Sequence, residues 1–178
     1  MPPVSLADRS ILSPAVVRFL LGRYSRCIGS RYDILEPERL SSDGINLKKL
    51  PDTTKFEILM ACGIAAARES YRFPHWRSFA QIARDWAGEF VAPIISTENK
   101  NSLRAILLLL VFELADPSRG LTWDLLDLAT RTCLQLGWLQ NPPSSDAYSG
   151  YPNDQPQSQS SISQDEQHLV SVLKYING

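Results

Sequence analysis

The stretch Leu103–Leu139, LRAILLLLVFELADPSRGLTWDLLDLATRTCLQLGWL, decides the fold. Every residue from Ala105 to Phe112 is apolar, and apolar character continues, Glu113 aside, to Ala115. Such a run fits a buried strand or a buried helix, since periodicity cannot separate the two when every face is apolar. Leucine richness, few β-branched residues and the length of the run favour a helix. A helix that is hydrophobic all round belongs at the centre of a bundle. The run falls well short of the ~20 residues that span a membrane. Asn101 or Ser102 is expected to cap it.

Asp116, Pro117 and Gly120 then turn the chain. Thr122 is the expected N-cap of a second helix, with Leu121 and Leu126 as a hydrophobic staple. Asp124 lies in the first turn, at the positive end of the helix dipole. Leu126, Ala129, Cys133 and Leu136 fall on one face, and Asp127 and Arg131 form an i,i+4 pair on another. Gly137 is placed to close the helix at C′. The stretch therefore predicts an αα-hairpin with one very apolar arm and one amphipathic arm.

Upstream, the same helical spacing recurs. Ser13-Pro14 starts a helix running to about Arg26, with Val16, Val17, Leu20, Leu21 and Tyr24 as its stripe. Arg18, Arg23, Arg26 and Arg31 read as a solvated face, since no recognised nucleic-acid reader module accompanies them. Tyr32–Arg39 should be extended before Pro37, and Ser41–Pro51 a polar loop turning at Asp43-Gly44. Thr54 and Glu57 suggest a capping box. The helix behind it, rich in alanine around Cys62 and Gly63, is slim enough for close approach of its neighbours. Pro74 opens a further helix in which Trp76, Phe79, Ala80, Ala83, Trp86, Ala87 and Phe90 share a face. Arg77, Gln81, Arg84, Asp85 and Glu89 lie away from that face, and Pro93 is expected to end the helix.

The expected fold is all-α, an irregular multi-helix bundle of antiparallel helical hairpins. Residues 1–12 form an N-terminal tail and 13–140 the helical domain. Residues 141–164, rich in proline, serine and glutamine, should be disordered, having too little apolar surface to offset chain entropy. Residues 165–178 form a short C-terminal helix, opened by a Ser163/Glu166 capping box and striped by Leu169, Val172, Leu173 and Ile176.

With 178 residues the chain is long enough for one domain with a substantial core. Its net charge of −1 implies no global attraction to nucleic acid or membrane. The start MPPVSLADRS lacks the charged and apolar regions of a secretory signal. Cys27, Cys62 and Cys133 lie far apart, without metal-ligand spacing, and read as buried free thiols suited to a reducing compartment. His75 reads as a surface or capping residue. His75, Cys133, Asp127 and His168 are the loose candidates for catalysis, and none pairs with another at useful spacing. No catalytic, cofactor-binding or metal-ligating residue, and no cofactor, is therefore assigned.

Around the hairpin the chain resembles the middle homology region of fungal-specific transcription factors, the proteins that usually carry a six-cysteine zinc cluster. The resemblance rests on Ser102-Leu103 through Phe112-Glu113-Leu114, then Trp123, Leu125, Ala129, Arg131 and Leu136-Gly137, with Tyr32–Pro37 upstream, and covers about Val16 to Gln140. The chain departs from the pattern at Asp127, where the family commonly has glycine, and at Trp138-Leu139-Gln140, which replaces Leu-His-Arg. Glu166–Leu173 lacks the family's arginine-rich start and Phe-Trp pair. Three cysteines cannot supply a zinc cluster. The resemblance implies the first half of a regulatory domain, nuclear, acting in transcription through a protein partner or self-association, for example on a secondary-metabolite gene cluster. It implies no membrane and no sequence-specific DNA reading by this chain alone. The alternatives are a split or non-functional fragment of a larger zinc-cluster regulator, direct DNA binding, and a small helical enzyme.

Overall fold

Six α-helices of eleven residues or more form the framework of the computed structural model, which describes residues 11–32, 34–35, 47–139 and 163–177. No strand occurs among the described residues, so the all-α expectation holds. Helix α1 is Pro14–Tyr24. Ser13 caps it by accepting the Val16 N–H at 3.4 Å, and Val17, Leu20, Leu21 and Tyr24 are buried. Beyond Tyr24 the chain does not stop near Arg26. It widens into a π-helical turn, Ser25–Gly29, and closes with a last turn at Ser30–Tyr32. Ile34 and Leu35 return to the core. The rest of the expected extended segment and the Asp43-Gly44 turn lie outside the described residues. A 3-10 turn at Leu47–Lys49 precedes the second helix.

Helix α2, Asp52–Glu69, starts ahead of the expected capping box. Thr54 sits inside its first turn, and Glu57 is buried and faces Arg104 at 3.7 Å instead of folding back to a cap. Pro51 supplies the helix entry, and Asp52 matches the dipole there. The helix packs against α1, α3 and α4, with residues 56–67 buried throughout. Its slimness is used at Gly63, where an added Cβ would lie 3.3 Å from the Phe112 ring and 3.5 Å from the Ala80 carbonyl oxygen.

Helices α3 and α4 are Trp76–Ile95 and Lys100–Ala115. Pro93 does not end α3 but lies within its final turn. Ile94 is buried, and Ser96 and Thr97 hydroxyls donate to the carbonyls of Pro93 and Ile94 at 3.0 and 2.7 Å. These bonds satisfy carbonyls at the C-terminal end of the helix. The buried face of α3 is narrow, made of Ala80, Ala83, Ala87 and Ile94, with Trp76, Phe79, Trp86 and Phe90 half-buried beside it. Arg84, expected away from the core, is buried and lies over the Phe112 ring at 6.0 Å. The cap of α4 is Asn99, ahead of Asn101 and Ser102. Asn99 and Ser102 exchange reciprocal bonds in a capping box, and the Ser102 hydroxyl also donates to the Ile94 carbonyl at 3.0 Å. Residues 102–113 of α4 are all buried, and it touches α2, α3, α5 and α6. It is the central helix that its composition predicts.

The 3-10 turn Pro117–Arg119 and Gly120, at φ +68°, lead into α5, Thr122–Gln135. Leu121 holds the N-cap position and Thr122 is already helical, so neither the threonine cap nor the staple register is realised. The buried Glu113 carboxylate substitutes by accepting the Leu121 N–H at 3.5 Å. Gly137 closes the helix as expected, at φ +71°. Its N–H meets the Leu134 carbonyl at 3.0 Å and the Trp138 N–H meets that of Cys133 at 2.9 Å, the paired bonds of a Schellman motif. Helix α6, Gln164–Asn177, opens with the predicted Ser163/Glu166 box and buries Leu169, Val170, Val172 and Leu173 against α4 and α5. The expected disordered segment falls, between 140 and 162, outside the described residues.

Candidate interaction surfaces

The four loose candidates for chemistry are dispersed. Cys133 is fully buried on α5, and burial pushes its thiol up to about 11. Asp127 is spent on the expected ion pair with Arg131 at 2.5 Å. The His168 ring lies 3.3 Å from the Tyr32 carbonyl oxygen. His75, at the entry of α3, is exposed among aromatic rings and makes no side-chain cap. Cys62 is buried and pushed up to about 12, whereas Cys27 is half-buried; all three thiols are free. Among the described residues no three His, Cys, Asp or Glu side chains converge to hold a metal ion. No described helix is long and apolar enough to cross a membrane.

An open cleft of about 380 Å³ lies between the end of α2 and the α4–α5 turn, lined by Ser70, Tyr71, Arg77, Ala115, Asp116 and Pro117. The Tyr71 hydroxyl donates to the Ala115 carbonyl at 3.1 Å. Arg77 and Asp116 give it one charge of each sign.

Charged side chains instead tie helices together. Arg104 of α4, 1% exposed, faces Glu57 of α2 and reaches Asp165 of α6 at 3.2 Å. Lys100 approaches the same carboxylate at 3.5 Å. Asp165 sits in the first turn of α6, where the dipole adds to both cations. Arg23 joins α1 to Glu69 of α2 at 2.7 Å, and Arg119 joins the hairpin turn to Asp85 of α3. Arg31 donates to the Tyr175 hydroxyl of α6 at 2.6 Å. Arg23 and Arg31 are therefore cross-helix ties, not the purely solvated face expected from sequence. Arg84 has its proton affinity lowered, first by burial and then by Arg119, with Glu113 and Asp85 opposing.

Large apolar side chains also stand at the surface. On the outward side of α5, Trp123 is 79% exposed and Leu134 44% exposed, with Leu121 and Leu128 beside them in the sequence of that helix and also exposed. Trp123 and Leu134 belong to the α4–α5 hairpin, but their exposure is set by which side of α5 meets α4 and α6. No family model, no curated protein and no solved structure matches the chain.

Proposed function

We propose that the protein is a transcription-factor-like regulatory module of a fungus, acting in the nucleus through protein–protein contacts made by the outward face of α5. The observation that supports this reading is Trp123, a large aromatic residue left 79% exposed on the helix whose sequence carries the family resemblance. Tryptophan is enriched among the residues that dominate binding energy at interfaces. Leu134 and Leu128 extend the apolar character of the same helix. Asp127 and Arg131 of the same helix pair with each other at 2.5 Å, so Trp123 and Leu134 stand beside a locally balanced ion pair.

The test pairs solution and cellular measurements. Light scattering across a concentration series, for wild type and for a Trp123→Ser/Leu134→Ser variant, reports self-association through the face. Proximity labelling from a tagged protein in a fungal host reports partners. Association or nuclear regulator partners that are lost in the variant support the proposal. A protein that stays monomeric and never labels nuclear regulators overturns it.

A further inference from the structure

A second surface, far along the chain from α5, has a chemistry of its own. Phe19 of α1 stacks on Trp76 at the start of α3, with ring centroids 5.5 Å apart and planes 16° from parallel. Phe79 and His75 lean on the same indole at 4.9 and 5.3 Å, and Phe73 meets His75 at 6.1 Å. The rings form one continuous ridge across two helices and the turn before α3. Phe19 and Phe73 are 46% and 48% exposed, although the ridge lies against the core and has no covering helix among the described residues.

The segments that carry the ridge are rich in positive charge. The two segments that build it, 11–32 and 68–79, hold seven arginines against one acidic residue, in a chain whose net charge is −1. That one acid, Glu69, is already paired with Arg23 at 2.7 Å. Arg18 and Arg72, exposed, adjoin Phe19 and Phe73 in sequence. Each of these arginines has an aromatic neighbour in sequence, and the stacking of Phe19 on Trp76 joins the two segments into one surface.

We propose that this ridge is a docking surface for an acidic, amphipathic protein segment, whose apolar side chains cover Phe19 and Phe73 while its carboxylates meet the surrounding arginines. Charge complementarity selects an acidic occupant and steers its approach. The exposed rings require an apolar component as well, since a purely ionic partner would leave them in water. A single-stranded nucleic acid fits less well. Base stacking needs open ring faces, and the central indole already carries Phe19 stacked on it and two further rings tilted against it. The inference does not depend on the role assigned to α5.

Fluorescence anisotropy of the full chain tests it, with a labelled synthetic peptide of alternating Asp/Glu and Leu/Phe as the probe. Comparison probes are an acidic peptide of Asp and Ser, an oligothymidylate strand, and vesicles of phosphatidylserine with phosphatidylcholine. Saturable binding of the first peptide alone is expected. It should weaken by about tenfold or more in Phe19→Ser/Phe73→Ser, the loss typical of removing interface anchors. A comparable loss is expected in Arg18→Glu/Arg72→Glu, whose exposed positions leave the thermal melt unchanged, and none in Trp123→Ser. Equal binding of the Asp/Ser peptide, preferential binding of oligothymidylate or vesicles, indifference to both double variants, or no saturable binding overturns the proposal.

Discussion

Replacing Arg104 with methionine probes the tie that holds α6 to the rest of the bundle. Arg104 is buried at the meeting of α2, α4 and α6, with Glu57 at 3.7 Å and Asp165 at 3.2 Å. The Glu57 side chain is only 3% exposed, so its carboxylate cannot recover solvation when the guanidinium is removed. Removing one partner of a buried ion pair costs about 3–5 kcal/mol, mostly through the charge left behind. Asp165 is 41% exposed, and water screens its share of the interaction. Asp165→Asn should therefore cost about 1 kcal/mol or less. With a urea dependence of about 2 kcal/mol per molar, Arg104→Met should lower the unfolding midpoint by about 1.5–2.5 M. Adding Glu57→Met removes the buried anion and should restore at least half of that loss, since an apolar replacement of both partners is often neutral. Urea unfolding followed by circular dichroism measures all four proteins. Hydrogen exchange should separately show faster exchange confined to Gln164–Asn177 in Asp165→Asn. If Arg104→Met costs no more than Asp165→Asn, or if the double variant is less stable than Arg104→Met, the reasoning fails.

Two further outcomes follow from packing and burial. Gly63→Ala should stay within about 1 kcal/mol of wild type, because a similar gain in helix propensity offsets the tight approach to Phe112. Gly63→Val should cost about 2–3 kcal/mol by overpacking, as read from thermal melts. The thiols should react in order of access: Ellman's reagent modifies half-buried Cys27 in the native protein, whereas Cys62 and Cys133 react only on unfolding. Because the Cys62 thiol is raised from 9.0 to about 12 by burial, the unfolded chain ionises first. Stability is then full below about pH 9 and falls as pH rises towards 12, by about 1.4 kcal/mol per pH unit for this group. Cys62→Ala should flatten that decline in urea titrations at successive pH values.

Helix existence was legible wherever the apolar spacing was regular, and least so at the ends. Gly137 and the Ser163/Glu166 box were read correctly because a terminal glycine and a reciprocal cap are satisfied within a few residues of chain. Thr54 and Thr122 were misplaced because distant groups intervened, whereas the α4 cap is a local Asn99/Ser102 box that begins two residues ahead of Asn101. Arg104 drew Glu57 into the core, and Glu113 supplied the carboxylate that met the start of α5. Pro93 misled because it stands in the last turn, where the helix continues only to Ile95 and the Ser96 and Thr97 hydroxyls cap its final carbonyls.

The sequence by itself determined the all-α class, the apolar α4 at the centre, the slim α2 beside it and the hairpin turn at Gly120. Each follows from local spacing, side-chain volume or backbone freedom, which act over a few residues. The tertiary structure decided which polar groups were buried and which apolar groups were left outside. Glu57, Arg84, Arg104 and Glu113 look like surface charges in one dimension, yet all are buried. Phe19 and Trp76 are 57 positions apart in the sequence and stack only because α1 and α3 both pack beside α2. Trp123 keeps its exposure because α5 turns its other side to α4 and α6. Long-range contacts of this kind have no local signature, and they create both surfaces on which the proposed functions rest.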